Sequence, residues 1–458
     1  MSDVVESLQT IDLRIEHLNR TILKLSVPSV MESILTTLVY LVDAILVGWL
    51  NDPAALAAVG LSGMLMWAAD GLFGAISVSV SALVARFWGA GDFENARRVA
   101  GQSLILSILA ALALMALLIP ASELFLQVMG GERDVVLRGA EYIRILLAAA
   151  PVSFTLIVAN SIMRATGDTR KPMTITGMMN LFNVALAYAL IFGLGPIPRL
   201  ELRGAALATS LARALGGVIA LSVLFSPKTP IHLRLRHLRR WDFGLIWRII
   251  RISLPNVGET IVSRLGFILF MRIVSALGTI ALAAHQIALC VESLAFMPSW
   301  GLATATAALV GQALGAQKEN VAEQGIRRTL LMGNGMMTLI SAVFVAFGPA
   351  IVRLFGIQDV DLASMAATAI RTSALELFGL CSLMIIAGCL RGAGDTRTPM
   401  TVTLVGTLLF RVPTTYLFAI TLNAGLRGVW LATAVDWSMR ALIMFFLYMR
   451  GNWKTVNI

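Results

Sequence analysis

The chain has 458 residues, of which 58% are hydrophobic and only 14% are charged. A soluble domain is about 45–50% apolar and about 25% charged, so this composition excludes an ordinary soluble protein. The net charge of +10 is compatible with nucleic-acid binding, but long apolar runs weigh against that class and favour a polytopic membrane protein.

Twelve apolar runs are each long enough to cross a bilayer as a helix. The first twenty residues are polar and predict a cytoplasmic amphipathic lead-in without a cleavable signal peptide. The spans are predicted near 22–48, 54–86, 98–120, 139–163, 172–194 and 203–225, then 249–276, 280–313, 328–350, 365–389, 399–421 and 427–449. The expected fold is therefore all-α and integral to the membrane, with six helices in each of two lobes.

A basic segment at 226–248 separates the amino-terminal lobe, 1–225, from the carboxy-terminal lobe, 249–458. Its two prolines and the cluster of Arg234, Arg236, Arg239 and Arg240 predict a linker that ends in a helix on the membrane surface, with a nucleic-acid patch as the weaker alternative. Lysine and arginine are concentrated in this linker and in the loops on the same side of the predicted spans. Because such loops are cytoplasmic, both termini are expected in the cytoplasm.

A short polar segment between two spans occurs twice, 227 residues apart, and we call the two copies the hinge segments. Residues 163–173 read Met-Arg-Ala-Thr-Gly-Asp-Thr-Arg-Lys-Pro-Met, and residues 390–400 read Leu-Arg-Gly-Ala-Gly-Asp-Thr-Arg-Thr-Pro-Met. Glycine permits a turn, aspartate can cap backbone donors, and proline opens the next helix. A topogenic turn explains one copy but not two at a fixed offset. The matched residues include Arg164 and Arg391, Gly167 and Gly394, Asp168 and Asp395, Arg170 and Arg397, and Pro172 and Pro399.

The repeat extends beyond the hinge segments, since Pro28 and Glu32 match Pro255 and Glu259 at the same offset. Six crossings are an even number, so the repeats are expected to be parallel, as in many secondary transporters. The sequence has no phosphate-binding loop, no histidine or cysteine spacing suited to a metal, and no recognisable nucleophile with its base. We therefore expect neither an enzyme nor an ATP-driven pump, and no metal or cofactor.

Further motifs point to a family. They are Val-Asp-x-x-x-Val-Gly at 42–48, Leu-Ala-Ala-His-Gln-Ile at 282–287 and Val-Gly-Gln-x-Leu-Gly-Ala at 310–316. Together with the hinge segments, they resemble the multidrug and toxic compound extrusion (MATE) transporters from about residue 20 to 450. The resemblance implies a V of two six-helix lobes, export of amphipathic and often cationic compounds, and coupling to an inward flow of protons or sodium ions.

Asp43 lies in the middle of the first span, where a charge is costly and usually functional. A packing role beside a neighbouring helix is the alternative. The resemblance implies that Asn183 and Thr209 join Asp43 in an ion-coupling site. Many relatives carry a second aspartate four residues after that asparagine, but this chain has Ala187. A site with one carboxylate favours protons over sodium, because sodium binding benefits from additional anionic ligands.

Three glutamates are candidates for the substrate cavity. Glu32 and Glu259 follow the matched prolines, and Glu259 is expected either to line the cavity or to pair with Arg264. Glu292 lies in Val-Glu-Ser-Leu-Ala-Phe-Met-Pro, which resembles a family segment in the eighth span and implies a cation-binding role.

The expected function is secondary active efflux of amphipathic organic cations in exchange for protons or sodium ions. A monomer in the plasma membrane is expected, with no nucleic-acid partner. The alternative is a flippase for a lipid-linked or amphipathic precursor. A flippase for an anionic headgroup should line its cavity with arginine, and the spans offer mainly Arg264, Arg272 and Arg411 for that purpose.

Overall fold

A computed structural model of the protein describes residues 11–50, 52–194, 198–239 and 241–456. Regular structure in these ranges is helical, and no β-strand occurs in them. The first ten residues of the predicted lead-in and Arg240 of the linker lie outside the described residues.

Among its described residues, the amino-terminal half contains seven α-helices. They are α1 (Leu18–Gly48), α2 (Pro53–Gly89), α3 (Phe93–Val128), α4 (Arg133–Ala148), α5 (Ala150–Ala165), α6 (Arg170–Phe192) and α7 (Glu201–Phe225). Aspartate side chains cap two of them: Asp52 accepts from two backbone N–H groups of α2, and Asp92 accepts from one of α3. These carboxylates satisfy donors that have no partner within the helix, so the sequence specifies where both helices begin.

The linker contains the short helix α8 (Leu235–Arg239), and the second half follows it. Its helices are α9 (Phe243–Ser275), α10 (Thr279–Gly315), α11 (Glu319–Arg353), α12 (Val360–Ser373), α13 (Leu377–Ala393), α14 (Arg397–Val405), α15 (Val412–Tyr416) and α16 (Gly425–Met449). The π-helical segment Gly406–Arg411 joins α14 to α15, and a second one, Leu417–Thr421, extends α15, so that Arg397–Thr421 is one continuous span.

Nine of the described helices are long and apolar enough to cross a membrane. Two further spans are broken, with a bend of 58° between α4 and α5 and of 49° between α12 and α13. The remaining predicted span corresponds to α9, which is 33 residues long and less apolar because it carries Glu259, Arg264 and Arg272. The predicted all-α membrane fold is confirmed.

The chain forms two compact units, and their boundary falls inside α1. The amino-terminal unit includes Met31–Arg251, whereas Asp12–Val30 groups with the residues from Ile252 onward in the carboxy-terminal unit. The predicted lobes instead placed all of α1 in the first half. Within the carboxy-terminal unit, Arg328 donates hydrogen bonds to the Ile15 carbonyl and to Asn19, at 3.0 and 3.2 Å. Arg328 on α11 thus contacts the first turn of α1 and the residues just before it.

Candidate functional site

The two hinge segments have the same local geometry. Gly167 and Gly394 adopt φ angles of +91° and +94°, a left-handed conformation that a residue with a side chain rarely adopts. Asp168 and Asp395 each accept a hydrogen bond from the backbone N–H three residues later, at 3.2 and 3.0 Å. These carboxylates cap the helices that follow, so each hinge segment sets the starting point of the next span.

The remaining matched residues of the hinge segments lie on those next spans. Arg170 and Arg397 are the first residues of α6 and α14, and both side chains are exposed. Pro172 and Pro399 lie two residues further on and are buried. Proline suits a first turn because its missing N–H has no helical partner there.

Each hinge segment is joined to the first long helix of its own half by a matched ion pair. Arg164 donates to Glu32 over 2.6 Å, and Arg391 donates to Glu259 over 2.6 Å. In both pairs the two residues are 132 positions apart, and all four side chains are at most 15% exposed. Two of the three glutamates predicted for the substrate cavity, Glu32 and Glu259, are therefore bound to the hinge arginines Arg164 and Arg391. The common repeat offset of the glutamates and the arginines is the signal in the sequence that indicates these two pairs.

The surroundings of the two pairs differ in one respect. Asn160 donates to Glu32 over 3.1 Å, whereas Thr403 donates to Glu259 over 3.0 Å. Asn160 is carried by α5 and Thr403 by α14, so the second hydrogen bond comes from a different helix in each half. The ion pair is the shared element, and the extra hydrogen bond is specific to each unit.

The predicted ion-coupling residues come together in the amino-terminal unit. Asp43 on α1 is 5% exposed, and its Oδ2 atom accepts a hydrogen bond of 2.6 Å from the Thr209 hydroxyl on α7. Asn183 on α6 donates to the same hydroxyl oxygen over 3.2 Å. The other carboxylate oxygen of Asp43, Oδ1, is buried without a hydrogen-bond partner among the described residues. Ala187, one turn after Asn183, is fully buried.

A further acid of the same unit, Asp70, is paired with an arginine. Asp70 on α2 receives two hydrogen bonds from Arg213 on α7, at 3.1 and 3.2 Å. Arg213 lies one turn after Thr209, so its charge is also felt by Asp43. Besides the Glu32–Arg164 pair, the unit thus places the carboxyl groups of Asp43 and Asp70 and the guanidinium of Arg213 within its spans. No spacing in the sequence indicates this pairing, since 143 residues separate the partners.

The carboxy-terminal unit contains a larger buried cluster. Asp436 on α16 is fully buried and accepts from Arg411 and Arg440, each over 2.7 Å. Arg411 ends the first π-helical segment, and its guanidinium lies 5.4 Å from the Phe270 ring centre and 5.2 Å from that of Trp437. Segments of this kind often occur at functional sites, because the extra residue re-aims side chains on the helix.

Two further glutamates face this cluster. Glu376 begins α13 and is fully buried, and its two carboxyl oxygens have no hydrogen-bond partner among the described residues. Glu292 on α10 is half-buried and lies beside Glu376, and both experience the charge of Arg411. Of the three glutamates predicted for the cavity, Glu292 is the one without an ion pair among the described residues. With Asp436 and Arg440, the cluster contains three carboxyl groups and two guanidiniums.

No group of three or more histidine, cysteine or acidic side chains suited to hold a metal ion occurs among the described residues. The cysteines Cys290, Cys381 and Cys389 are free thiols. The candidate site therefore consists of the buried charges of the two units.

Apolar helices arranged in two units, with repeated hinges and acids buried within the spans, define a multi-pass membrane transport protein. A family model described as MatE matches residues 28–189 and 255–417, one match in each half. The chain belongs to this family, the multidrug and toxic compound extrusion transporters. The resemblance inferred from the motifs is confirmed.

Relatives and solved structures agree with this assignment over the full length. A probable multidrug resistance protein NorM from Thermotoga maritima is 28% identical over 441 residues, covering 96% of this chain and 94% of that protein. The outward-facing structure of a multidrug resistance MATE family transporter matches with a TM-score of 0.90 at 26% identity, covering 99% of both chains. A transporter of the same superfamily from Pyrococcus furiosus, described as having a binding pocket of reverse polarity that suggests a different function, matches with a TM-score of 0.89 at 26% identity, covering 99% of both chains.

Proposed function

We propose that this transporter exports amphipathic organic cations in exchange for protons, and that Asp43 is the coupling residue. The observation that carries the proposal is a buried carboxyl group with one hydrogen-bonded oxygen and one unpartnered oxygen. Such a group is costly to keep charged within a membrane unless it binds a cation in part of the transport cycle. Asp43 is carried by α1 and accepts from Thr209 on α7, which in turn accepts from Asn183 on α6. A change in the charge of Asp43 therefore acts on three spans at once.

The ligand set around Asp43 favours a proton over a sodium ion. Hard metal cations are bound by several oxygen atoms, and carboxylates supply the strongest of them. Asp43 supplies one negative charge, Thr209 already directs its hydroxyl hydrogen at that carboxylate, and Ala187 offers no second acid. A proton needs only the free oxygen Oδ1. We expect Asp43 to take up a proton from outside and to release it inside.

The preference for cationic substrates rests on charge balance. In each unit the buried cluster has one more carboxyl group than guanidinium groups. The amino-terminal cluster has Asp43 and Asp70 for one guanidinium, that of Arg213. The carboxy-terminal cluster has three carboxyl groups for two guanidiniums, those of Arg411 and Arg440. An organic cation that approaches these acids gains charge pairing, and the apolar walls of the spans accommodate its body. We propose that Glu292 contacts the substrate, because it is half-buried and free of ion pairs among the described residues. Glu32 and Glu259 are instead held by the hinge arginines.

We also propose that the protein lies in the plasma membrane as a monomer, with both termini and both hinge segments on the cytoplasmic side. The basic loops support this orientation. Single cysteines placed at positions 168 and 395 should both react with an impermeant thiol reagent applied to inside-out vesicles, and not with reagent applied to intact cells. Labelling of the two positions from opposite sides would contradict the orientation and the parallel repeat together.

The function is tested by transport with purified protein in proteoliposomes, under proton and sodium gradients imposed separately. A fluorescent organic cation should be moved against its gradient when protons flow the other way, and a sodium gradient alone should not drive it. Sodium-driven transport at a clamped proton gradient, lost in Asn183→Ala, would show that the coupling ion is sodium.

A flippase is the second candidate, because the Pyrococcus furiosus relative is described as having a pocket of reverse polarity. For an anionic headgroup the cavity would need free arginines, and Arg411 is already bound to Asp436. A flippase would translocate a labelled anionic lipid in the same proteoliposomes and leave the cationic dye in place.

A further inference from the structure

The linker between the two halves is docked onto the amino-terminal unit. Arg97 on α3 donates a hydrogen bond of 2.6 Å to the Ile231 carbonyl, and Gln102 donates one of 3.3 Å to the His237 carbonyl. Helix and linker are so close at Gly101 that an added Cβ there would lie 2.6 Å from the His237 carbonyl oxygen. The side chains of Ile231 and Leu233 are 1% exposed. The segment 231–238 is therefore a packed part of the unit, and we call it the docked segment.

His237 lies at the centre of this contact and is 3% exposed. Its ring nitrogen Nδ1 accepts a hydrogen bond of 3.0 Å from the backbone N–H of Arg234. A neutral imidazole has one acceptor nitrogen and an imidazolium has none, so only the neutral ring can accept this bond. The Nε2 atom faces a second donor, the Arg236 Nε–H at 3.2 Å, and lies 3.5 Å from Glu94 Oε1. The docked geometry thus requires the neutral ring.

Protonation opposes this arrangement in two ways. A hydrogen on Nδ1 would face the Arg234 N–H and abolish the bond that orders the segment. The imidazolium would also stand near the charges of Arg236 and Arg97, which Glu94 offsets only in part. Burial lowers the pKa of His237 below its usual value of 6.5, and the two neighbouring arginines lower it further while Glu94 opposes them. The docked state accordingly binds a proton more weakly than the undocked state.

The linker matters for transport because it is the connection between the sixth and seventh spans. Beyond the docked segment, α9 begins at Phe243, and its residues up to Arg251 still group with the amino-terminal unit. Arg248 there lies over the Phe87 ring at 5.7 Å. Docking therefore holds the start of the seventh span to the amino-terminal unit, and undocking removes this contact.

We propose that the docked segment is a sensor of cytoplasmic acid, in which protonation of His237 releases the linker from α3 and slows transport. The proposal goes beyond the coupling site, and the part of it that concerns the rate of transport rests on the proposed function. A pump that imports a proton in each cycle acidifies the side on which His237 lies. Release of the linker would then restrain the pump when the cytoplasm becomes acidic.

The sign follows from linkage. The undocked histidine has the higher pKa, so docking is fully favourable above about pH 6.5 and weakens as the pH falls below that value. Each pH unit below it lowers the docking equilibrium constant about tenfold, until the lower pKa of the docked state is reached. Hydrogen exchange of the amides in the docked segment measures this constant, after correction for the intrinsic pH dependence of exchange.

The test uses the full-length protein in lipid nanodiscs, with exchange followed from pH 7.5 to pH 5. Wild-type protection of residues 231–238 should fall with pH. His237→Asn keeps an acceptor beside the Arg234 N–H but cannot titrate, so its protection should be independent of pH. His237→Ala should be poorly protected throughout, and His232→Asn, a matched histidine in the same linker, should behave as wild type. A flat wild-type profile, or a wild-type slope in His237→Asn, would overturn the proposal.

The effect on transport is measured in proteoliposomes with the pH lowered equally on both sides, so that the driving gradient stays constant. Wild type should slow at acidic pH more than His237→Asn does. If protection falls but both proteins slow equally, the regulatory part of the proposal is wrong. Absence of wild-type transport at any pH would count against the proposed function, whereas the exchange profile tests the sensor without it.

Discussion

Replacing Asp43 with asparagine should separate folding from coupling, because asparagine retains the shape and the acceptor oxygen but cannot take up a proton. The hydrogen bond from Thr209 to Asp43 is 2.6 Å long in the wild type. A hydrogen bond to a charged group contributes about 1.5–3 kcal/mol to stability, and one between neutral groups about 0.5–1.5 kcal/mol. The variant should therefore lose on the order of 1 kcal/mol and should insert and fold normally.

The effect on transport should be much larger. For exchange of one monovalent cation for one proton, a difference of one pH unit is worth about 1.36 kcal/mol, which sustains an accumulation ratio of about ten. Without a titrating carboxyl group, no free energy passes from the proton gradient to the substrate. The accumulation ratio of Asp43→Asn should therefore fall to about one, although the substrate could still equilibrate.

Steady-state accumulation of a fluorescent cation in proteoliposomes measures this ratio, and thermal unfolding of the same preparations measures stability. Glu123→Gln is the matched control, because Glu123 is an exposed acid paired with Arg144 and should be dispensable for coupling. Proton-driven accumulation at the wild-type ratio in Asp43→Asn would refute the assignment of Asp43. A large loss of thermal stability would instead show that Asp43 has a packing role.

Two other substitutions test the structural basis of the site. Arg164→Gln should destabilise the amino-terminal unit, by less than the roughly 3–5 kcal/mol of a fully buried pair because both partners are slightly exposed. Adding Glu32→Gln should recover part of the melting temperature, and no recovery in the double variant would argue against the pair. Gly406→Ala should lower both the melting temperature and transport, because its Cβ would occupy the space of the Arg440 side chain. In the control Gly335→Ala the added Cβ has no neighbour within 4 Å, so this variant should be neutral. Equal melting temperatures of the two variants would show that Arg440 moves aside at no cost.

The two units pair their buried acids with arginines at different positions. Each holds its hinge segment with one glutamate–arginine pair, and this element is preserved between the halves. The deeper clusters have diverged, since the amino-terminal unit uses Asp70 and Arg213. The carboxy-terminal unit uses Asp436 with two arginines beside a π-helical segment. Divergence of the clusters with preservation of the hinges is expected if the hinges set the fold and the clusters set the chemistry.

The sequence by itself determined the class and the duplication. Hydropathy specifies which segments enter the membrane, because an apolar helix of sufficient length is the stable solution there. The hinge turns could be predicted from glycine, aspartate and proline, since these residues act within a few positions of themselves. Asp43 could be singled out because a charge in the middle of a span is costly whatever surrounds it.

Only the tertiary structure decided which charges meet. Hydropathy does not specify which face of one span packs against another, so partners more than a hundred residues apart, such as Asp70 and Arg213, could not be assigned. For the same reason the sequence did not assign Arg164 and Arg391 as the partners of Glu32 and Glu259. The contact of the linker with α3, where close packing at Gly101 holds the docked segment, could not be assigned either. In each case the sequence supplies the interacting groups, and helix packing determines the distances between them.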